Sequence, residues 1–381
     1  NFDQQVDMYQ NLEFTFNHDL VPDSLLNRMD SSSYITFTPA INGRFQWTDV
    51  RTLVFLPATP FAPNTDYSLT IRPDISKHLV KKLKPEDKEI RFHTPYLAIE
   101  RSQTYWSLDE NDKSQIQLRI KLFFNHKVDL NTLRKLTSVK LDNKAVAATL
   151  LTRENTNEIE FSIAAPSNEM TSKPLMLTIA EGMTCIGSAR ANPDEMVVNM
   201  TMPQRDRIEI TDVQTEFEDG EGVVYIYATQ PAVEQGLRGL ITVKPDVTFT
   251  ASTVGNAIKL KGNFADGQTY NLTISGKLKG IFGPELENDY QQTIIFGALE
   301  PYIAFSDQSG MYLSTGGSGN LGINIINVPK VKITVFKVFE NNIQHFMRQG
   351  KQWDWSYEDD DYHDSYSYSL NEDYGKIIST R

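Results

Sequence analysis

The sequence predicts an all-β protein built of tandem sandwiches, and three observations carry that reading. Apolar and polar residues alternate at period two, turn-forming residues punctuate these runs, and the same strand motifs return at a fixed spacing. Successive side chains on a strand point to opposite faces, so period-two alternation marks a strand with one buried and one wet face. The clearest run is Ile116, Leu118, Ile120, Leu122 and Phe124, alternating with Gln115, Gln117, Arg119, Lys121 and Phe123.

Taken in chain order, Leu12, Phe14 and Phe16 open the series. Tyr67, Leu69 and Ile71 follow, then a closing strand at residues 89–93 ahead of Thr94-Pro95. The run at 116–124 comes next, then residues 197–202 before Pro203. Ile258 and Leu260, residues 293–296 before Gly297, and Val331, Ile333 and Val335 complete it. β-Branched and aromatic residues fill these runs, while Gly, Pro, Asn and Asp separate them, as short paired strands require. Helical spacing is confined to residues 25–29 and 130–136, each long enough for a turn or two.

The repeat gives the organisation. Phe16-Asn17-His18 returns as Phe124-Asn125-His126, and Leu69-Thr70-Ile71 returns as Leu177-Thr178-Ile179, both 108 residues on. Residues 61–71 also match residues 264–274 at six of eleven positions, Tyr67 pairing with Tyr270. The third counterpart of the Phe-Asn-His strand end is then expected at Tyr227-Ala228-Thr229. A fixed offset between shared anchors marks duplicated units, each of the ~100 residues usual for a sandwich. The expected division is residues 1–97, 98–204 and 205–297 as three sandwiches, with 298–381 as a fourth unit. Linkers are short and not Gly/Ser-rich, so a semi-rigid string is expected. The fourth unit carries an acidic and aromatic insertion at 353–374 and ends on a strand-like 377–379 without closing strands behind it.

Composition bounds function. A chain of 381 residues suits ~2–4 domains. Hydrophobic residues make up 40% and charged ones 23%, a globular balance. With 37 Lys+Arg against 49 Asp+Glu the net charge is −12, which disfavours binding nucleic acid or anionic membrane through bulk charge. The single cysteine, Cys185, rules out an intramolecular disulfide and a Cys-rich zinc site; it fits a cytoplasm or a Gram-negative periplasm or surface. No stretch approaches the ~20 apolar residues of a membrane span. The chain starts at Asn1 with no charged or apolar leader. The expectation is an export signal already removed, or a start inside a longer protein.

Chemical motifs are few. Residues 317–322 fit the dinucleotide pattern G-x-G-x-x-G, but that chemistry needs a helix after the loop, and Ile323, Ile325 and Val328 continue as a strand. None of the six histidines, His18, His78, His93, His126, His345 and His363, pairs with another at metal-ligand spacing. His18 and His126 share a repeat position, which favours a structural role, and Trp47, Tyr67 and Tyr270 are expected to be structural too. Asp359, Asp360 and Asp361 offer hard oxygen ligands for calcium but lack the order of a known loop, so a solvated hairpin is the simpler reading. The interleaved Trp353, Trp355, Tyr357 and Tyr362 suggest a partner-contact surface, since Trp and Tyr are enriched at interfaces. Cys185 has no recognisable base and orienting partner and reads as a small buried hydrophobe. No catalytic signature and no cofactor site emerge.

Trp47, then Leu53-Val54-Phe55-Leu56-Pro57, then residues 61–71 resemble the Ig-like modules of bacterial surface proteins. Phe305, Gly310-Met311-Tyr312-Leu313, residues 325–328 and residues 331–339 are similar to the opening of a macroglobulin-like domain. Tandem Ig-like modules leading into a macroglobulin-like β-sandwich resemble the N-terminal region of bacterial alpha-2-macroglobulins, large envelope lipoproteins. The resemblance implies a non-catalytic scaffold in a periplasmic or envelope protein, lipid-anchored upstream, whose full-length form traps proteases; an envelope protein partner is a further implication. That family's C-x-E-Q thioester is absent, because Cys185 is followed by Ile186, Gly187 and Ser188. The alternative is a surface adhesion or glycan-binding protein, which would display a flat stripe of Trp and Tyr, with Trp106 and the Trp353/Trp355 pair as the residues to inspect. An accessory module of an enzyme would need a catalytic domain elsewhere.

Overall fold

A computed structural model describes residues 3–30, 34–76, 90–110, 112–165, 170–218, 220–297, 302–305, 323–326, 328, 331, 333–339 and 375–380. The chain is all-β, as the alternation predicts. The first group of strands is β1 (Leu12–Thr15), β2 (Met29–Asp30), β3 (Ile35–Thr38), β4 (Gly43–Asp49), β5 (Thr52–Pro57), β6 (Asp66–Ile71) and β7 (Ile90–His93). They form one sheet in the order β1-β5-β4-β2 and another in the order β3-β6-β7. Leu12, Phe14, Phe45, Trp47 and Phe55 of the first sheet share one core with Phe37, Tyr67, Leu69 and Phe92 of the second. Alternation reads directly as burial: Leu12 and Phe14 point in, Glu13 and Thr15 out.

The second group is β8 (Ile99–Leu108), β9 (Ile116–Phe124), the helix α1 (Leu130–Leu136), β10 (Thr137–Leu141), β11 (Lys144–Val146), β12 (Ala148–Leu150), β13 (Glu158–Ala164), β14 (Lys173–Ile179) and β15 (Met196–Met202). Its sheets run β12-β13-β9-β8 and β11-β10-β14-β15 around a core that includes Trp106, Ile120, Phe124, Phe161 and Leu177. The third is β16 (Ile210–Glu218), β17 (Glu221–Ala228), β18 (Ile241–Lys244), β19 (Phe249–Val254), β20 (Ala257–Gly262), β21 (Thr269–Ile274) and β22 (Tyr290–Ile295). Its sheets run β16-β17-β20-β19 and β18-β21-β22. The third group's orders are the A-B-E-D and C-F-G sheets of an immunoglobulin constant-type sandwich, and the second adds β11 beside its C strand. In the first group the A-strand position belongs to the other sheet, where Gln5 bridges His93 in parallel.

Two local features follow from sequence chemistry. α1 is capped by Asp129, whose carboxylate accepts the Asn131 backbone N–H at 3.1 Å, and it carries Arg134 and Lys135 in its last turn, where the helix dipole favours cations. β10 and β11 are joined by Asp142 and Asn143, at φ 50° and 60°, a two-residue loop whose left-handed residues match strand twist. The turn expected at 25–29 instead lies at Asp23–Leu25 as a short 3₁₀ segment, because Met29 and Asp30 pair with β4. Beyond residue 297, β23 (Tyr302–Phe305) pairs with β24 (Ile323–Ile326), and β25 (Thr334–Val338) with β26 (Gly375–Thr380).

Candidate functional site at the joints between sandwiches

The residues singled out from sequence fall into three environments. Tyr67 and Tyr270 hold matching corners: the Tyr67 hydroxyl accepts the Ala62 N–H at 2.8 Å, and the Tyr270 hydroxyl accepts the Ala265 N–H at 2.9 Å. Each is ringed by equivalent aromatics, Phe61 and Phe92 in one case, Phe264 and Phe296 in the other. Gly222 leaves room for the second set, since a Cβ there would sit 2.4 Å from the Phe264 Cβ. Trp47 lies in the first core, edge-on to Tyr34 at 5.9 Å. Trp106 is fully buried, and its indole N–H donates to the Pro203 carbonyl at 2.8 Å.

His18 and His126 share a repeat position but not an environment. His18 is exposed, whereas His126 is buried and its Nε2 donates to the Pro95 carbonyl at 2.7 Å. The third copy corrects the expected alignment. β9 ends at Phe124 and β17 at Ala228, and the bridges Val128 to Cys185 and Ala232 to Gly280 each lie four residues later. The counterpart of Phe-Asn-His is therefore Ala228-Thr229-Gln230, one residue beyond Tyr227. Gln230 repeats the act of His126: its amide donates to the Arg207 carbonyl at 2.8 Å and the Arg205 carbonyl at 3.2 Å. In both sandwiches this residue grips the lead-in chain. His93 stacks on Tyr96 at 4.1 Å and its Nδ1 donates to the Thr94 carbonyl.

The first joint converges on Asn64, a fully buried residue at φ 48°. Its amide donates to the Arg190 carbonyl at 2.9 Å, and its Oδ1 accepts from Leu97 N–H at 3.1 Å and Arg190 Nη1 at 3.2 Å. Its own carbonyl accepts from Ser188 Oγ at 2.9 Å. Arg190 also pairs with Asp66 at 3.1 Å and lies 4.1 Å over the Tyr96 ring, whose other neighbour in the stack is His93. The Cys185 thiol lies in the second core, where burial pushes it up. A thiol held protonated is a poor nucleophile, in keeping with the sequence reading of Cys185 as a small buried residue.

The second joint uses the outer face of the A-B-E-D sheets. Phe123, Tyr227 and Ala257 form a small buried cluster between the second and third sandwiches. The Arg101 guanidinium lies 3.8 Å from the Phe123 ring centroid and 4.9 Å from that of Tyr227, and pairs with Asp212 at 2.8 Å. Asn256 reaches across to Gln103, and the Trp106 backbone N–H donates to the Thr229 carbonyl at 2.8 Å. Further along the same face, Arg119 is buried against Glu160 at 3.3 Å, and the Tyr105 hydroxyl donates to the same carboxylate at 2.6 Å. Burial, then the Glu160 charge, hold the Tyr105 hydroxyl well above the ordinary tyrosine range. Beside this joint a cleft of about 580 Å³ is lined by Arg101, Gln103, Asn199, Thr201, Glu209 and Asp212 among others; no aromatic residue lines it.

Among the described residues, no group of three or more His, Cys, Asp or Glu is placed to hold a metal, and no helix is long and apolar enough to cross a membrane. Asp359, Asp360, Asp361, Trp353, Trp355, Tyr357, Tyr362 and the glycines at 317–322 lie outside the described residues. The element after those glycines is the strand β24, not the helix a dinucleotide loop needs. Sequence reasoning missed Asn64, Arg190 and Arg101. Asn64 did leave a signal, because the aligned residue of the third sandwich is Gly267, also left-handed at φ 64°, and Asn and Gly are the residues that tolerate that backbone.

Comparison with known proteins agrees with the sandwich of the first residues. The bacterial Ig-like domain family matches residues 1–94, so the chain opens with a domain of that class. Over 137 residues it is 30% identical to the alpha-2-macroglobulin homolog of Yersinia pestis. That overlap takes in 35% of this chain and only 7% of the relative's length. A crystal structure of native alpha-2-macroglobulin from Escherichia coli spanning domains MG0-NIE-MG1 is similar at 17% identity and a TM-score of 0.29, over 46% of this chain and 55% of that one.

Proposed function

We propose that this chain is a non-catalytic scaffold region of an exported bacterial alpha-2-macroglobulin-like protein, one that positions a protease-trapping body relative to an envelope anchor. The observation that carries this reading is that the buried polar side chains of the sandwiches go into their joints. Asn64, His126, Gln230 and Arg101 all hold one sandwich against the next or against its lead-in. The kinship with the Yersinia pestis homolog supplies the larger setting. The two tryptophans at described positions, Trp47 and Trp106, are buried rather than displayed, which disfavours a glycan platform on these sandwiches.

In this reading, proteases are targets of the full-length protein, not of these residues. The test uses the full-length protein mixed with a broad-specificity protease. A cleavage-dependent compaction, seen as faster sedimentation, is expected; unchanged sedimentation after cleavage overturns the inhibitor setting. The present chain alone is expected to leave the protease's activity unaltered.

A further inference from the structure

We propose that Asn64 is a latch that holds the first two sandwiches together as one unit, with Cys185 in the turn beside it. The network is unusual in its completeness. Both functional groups of the buried Asn64 amide, and its backbone carbonyl, are engaged by chain more than thirty residues away: Leu97 at a separation of 33, Ser188 at 124 and Arg190 at 126. A local turn motif has no need of such partners; an amide with every group met from the neighbouring sandwich and its linker serves the joint. The backbone supports the same view. Asn64 occupies a left-handed φ, and the preceding Pro63 faces Gly187 across the joint, 3.4 Å from where a Gly187 Cβ would be; Gly187 is left-handed too, at φ 84°.

Cys185 supplies the reporter. It is the chain's single cysteine, 3% exposed, and bridged to Val128 at the end of the second core nearest the joint. Ser188 ties the cysteine's turn to the joint, its backbone N–H donating to the Cys185 carbonyl at 3.3 Å and its hydroxyl to the Asn64 carbonyl at 2.9 Å, so a thiol reagent is expected to reach Cys185 when the joint opens or the second sandwich breathes. Those two routes respond to different substitutions. Asn64→Gly copies the third sandwich, which folds with Gly267 at this corner, so it removes the latch while keeping the backbone it needs. Loss of several buried hydrogen bonds raises the open fraction by roughly tenfold to a hundredfold. Asp129→Ala weakens α1 within the second sandwich and leaves the joint intact.

The experiment is native-state labelling of the full chain with 4,4′-dithiodipyridine, read alongside near-ultraviolet circular dichroism. Asn64→Gly is expected to label Cys185 at least about tenfold faster than the native chain with an unchanged folded spectrum. Arg190→Ala, which removes the other half of the latch, is expected to act in the same direction. Labelling of Asn64→Gly at the native rate, or acceleration by Asp129→Ala alone, overturns the proposal. The readout is the joint itself, so its outcome is independent of whether the full-length protein traps proteases.

Discussion

At the scale of single residues, the clearest devices are the two corner tyrosines and the buried tyrosines around the joints. Tyr67→Phe and Tyr270→Phe each remove one hydroxyl that accepts a backbone N–H, at a cost of about 1 kcal/mol, with the N–H left unsatisfied adding to it. Urea unfolding followed by tryptophan fluorescence should show Tyr67→Phe lowering the midpoint, because Trp47 reports the same core. Tyr67, Tyr105 and Tyr227 all have hydroxyls raised above the ordinary value near 10, chiefly by burial, and Tyr225 is pushed up to about 12. In the unfolded chain these groups ionise first as pH climbs. Their contribution is therefore complete below about pH 10 and is lost as pH rises through 10 towards the raised folded values. Urea midpoints measured from pH 8 to 11 should stay level and then fall; a midpoint that rises above pH 10 would contradict the assignment. The corner tyrosines were legible in the repeat of residues 61–71, whereas Asn64 was legible only as an Asn aligned with a Gly.

At the scale of elements, strand positions could be read from alternation, but burial could not. β9 shows why. Its core face, Leu118, Ile120, Leu122 and Phe124, is the one the pattern predicts. Its other face was expected to be wet, yet Arg119 and Phe123 are 3% and 7% exposed. Period two tells which side chains share a face, and says nothing of what covers that face, here the third sandwich over Phe123 and the second sandwich's own Glu160 and Leu108 at Arg119. The buried Arg119 depends on Glu160, so Arg119→Ala leaves a carboxylate and the Tyr105 hydroxyl without their cation and should cost about 3 kcal/mol, seen as a lower thermal midpoint of the second sandwich. The same logic at a helix end gives a milder effect. Asp129→Ala removes the cap of α1 and should cost about 1 kcal/mol, measurable as a shift in the same transition.

At the scale of the whole molecule, both joints carry a guanidinium over an aromatic ring and an ion pair, Arg190 with Tyr96 and Asp66 at the first, Arg101 with Phe123, Tyr227 and Asp212 at the second. The first adds the hydrogen bonds of the fully buried Asn64 amide. Arg101→Ala removes both the stack and the Asp212 pair and should broaden the small-angle scattering distance distribution of the full chain. A scattering curve identical to the native one would place the strength of that joint in Trp106 and Gln230 instead. Fold class was visible in the sequence because alternation is local. The joints were not, because the contacts that make them link residues as far apart as Asn64 and Arg190, 126 positions along the chain. Only the repeat, through Gly267, hinted that the corner was special.

The grip of His126 and Gln230 on the chain that leads into their own sandwiches bears on how such modules can be exchanged. Any cut through residues 94–98 separates Pro95 either from Asn64 or from His126, and any cut through 203–209 separates Trp106 from Thr229. The portable piece is therefore not one sandwich but one sandwich with the corner of its predecessor attached. Chimaeras spliced at the linkers should inherit folded bodies and lose their mutual orientation, so reordering these modules would change the reach and direction of the arm even where every core survives.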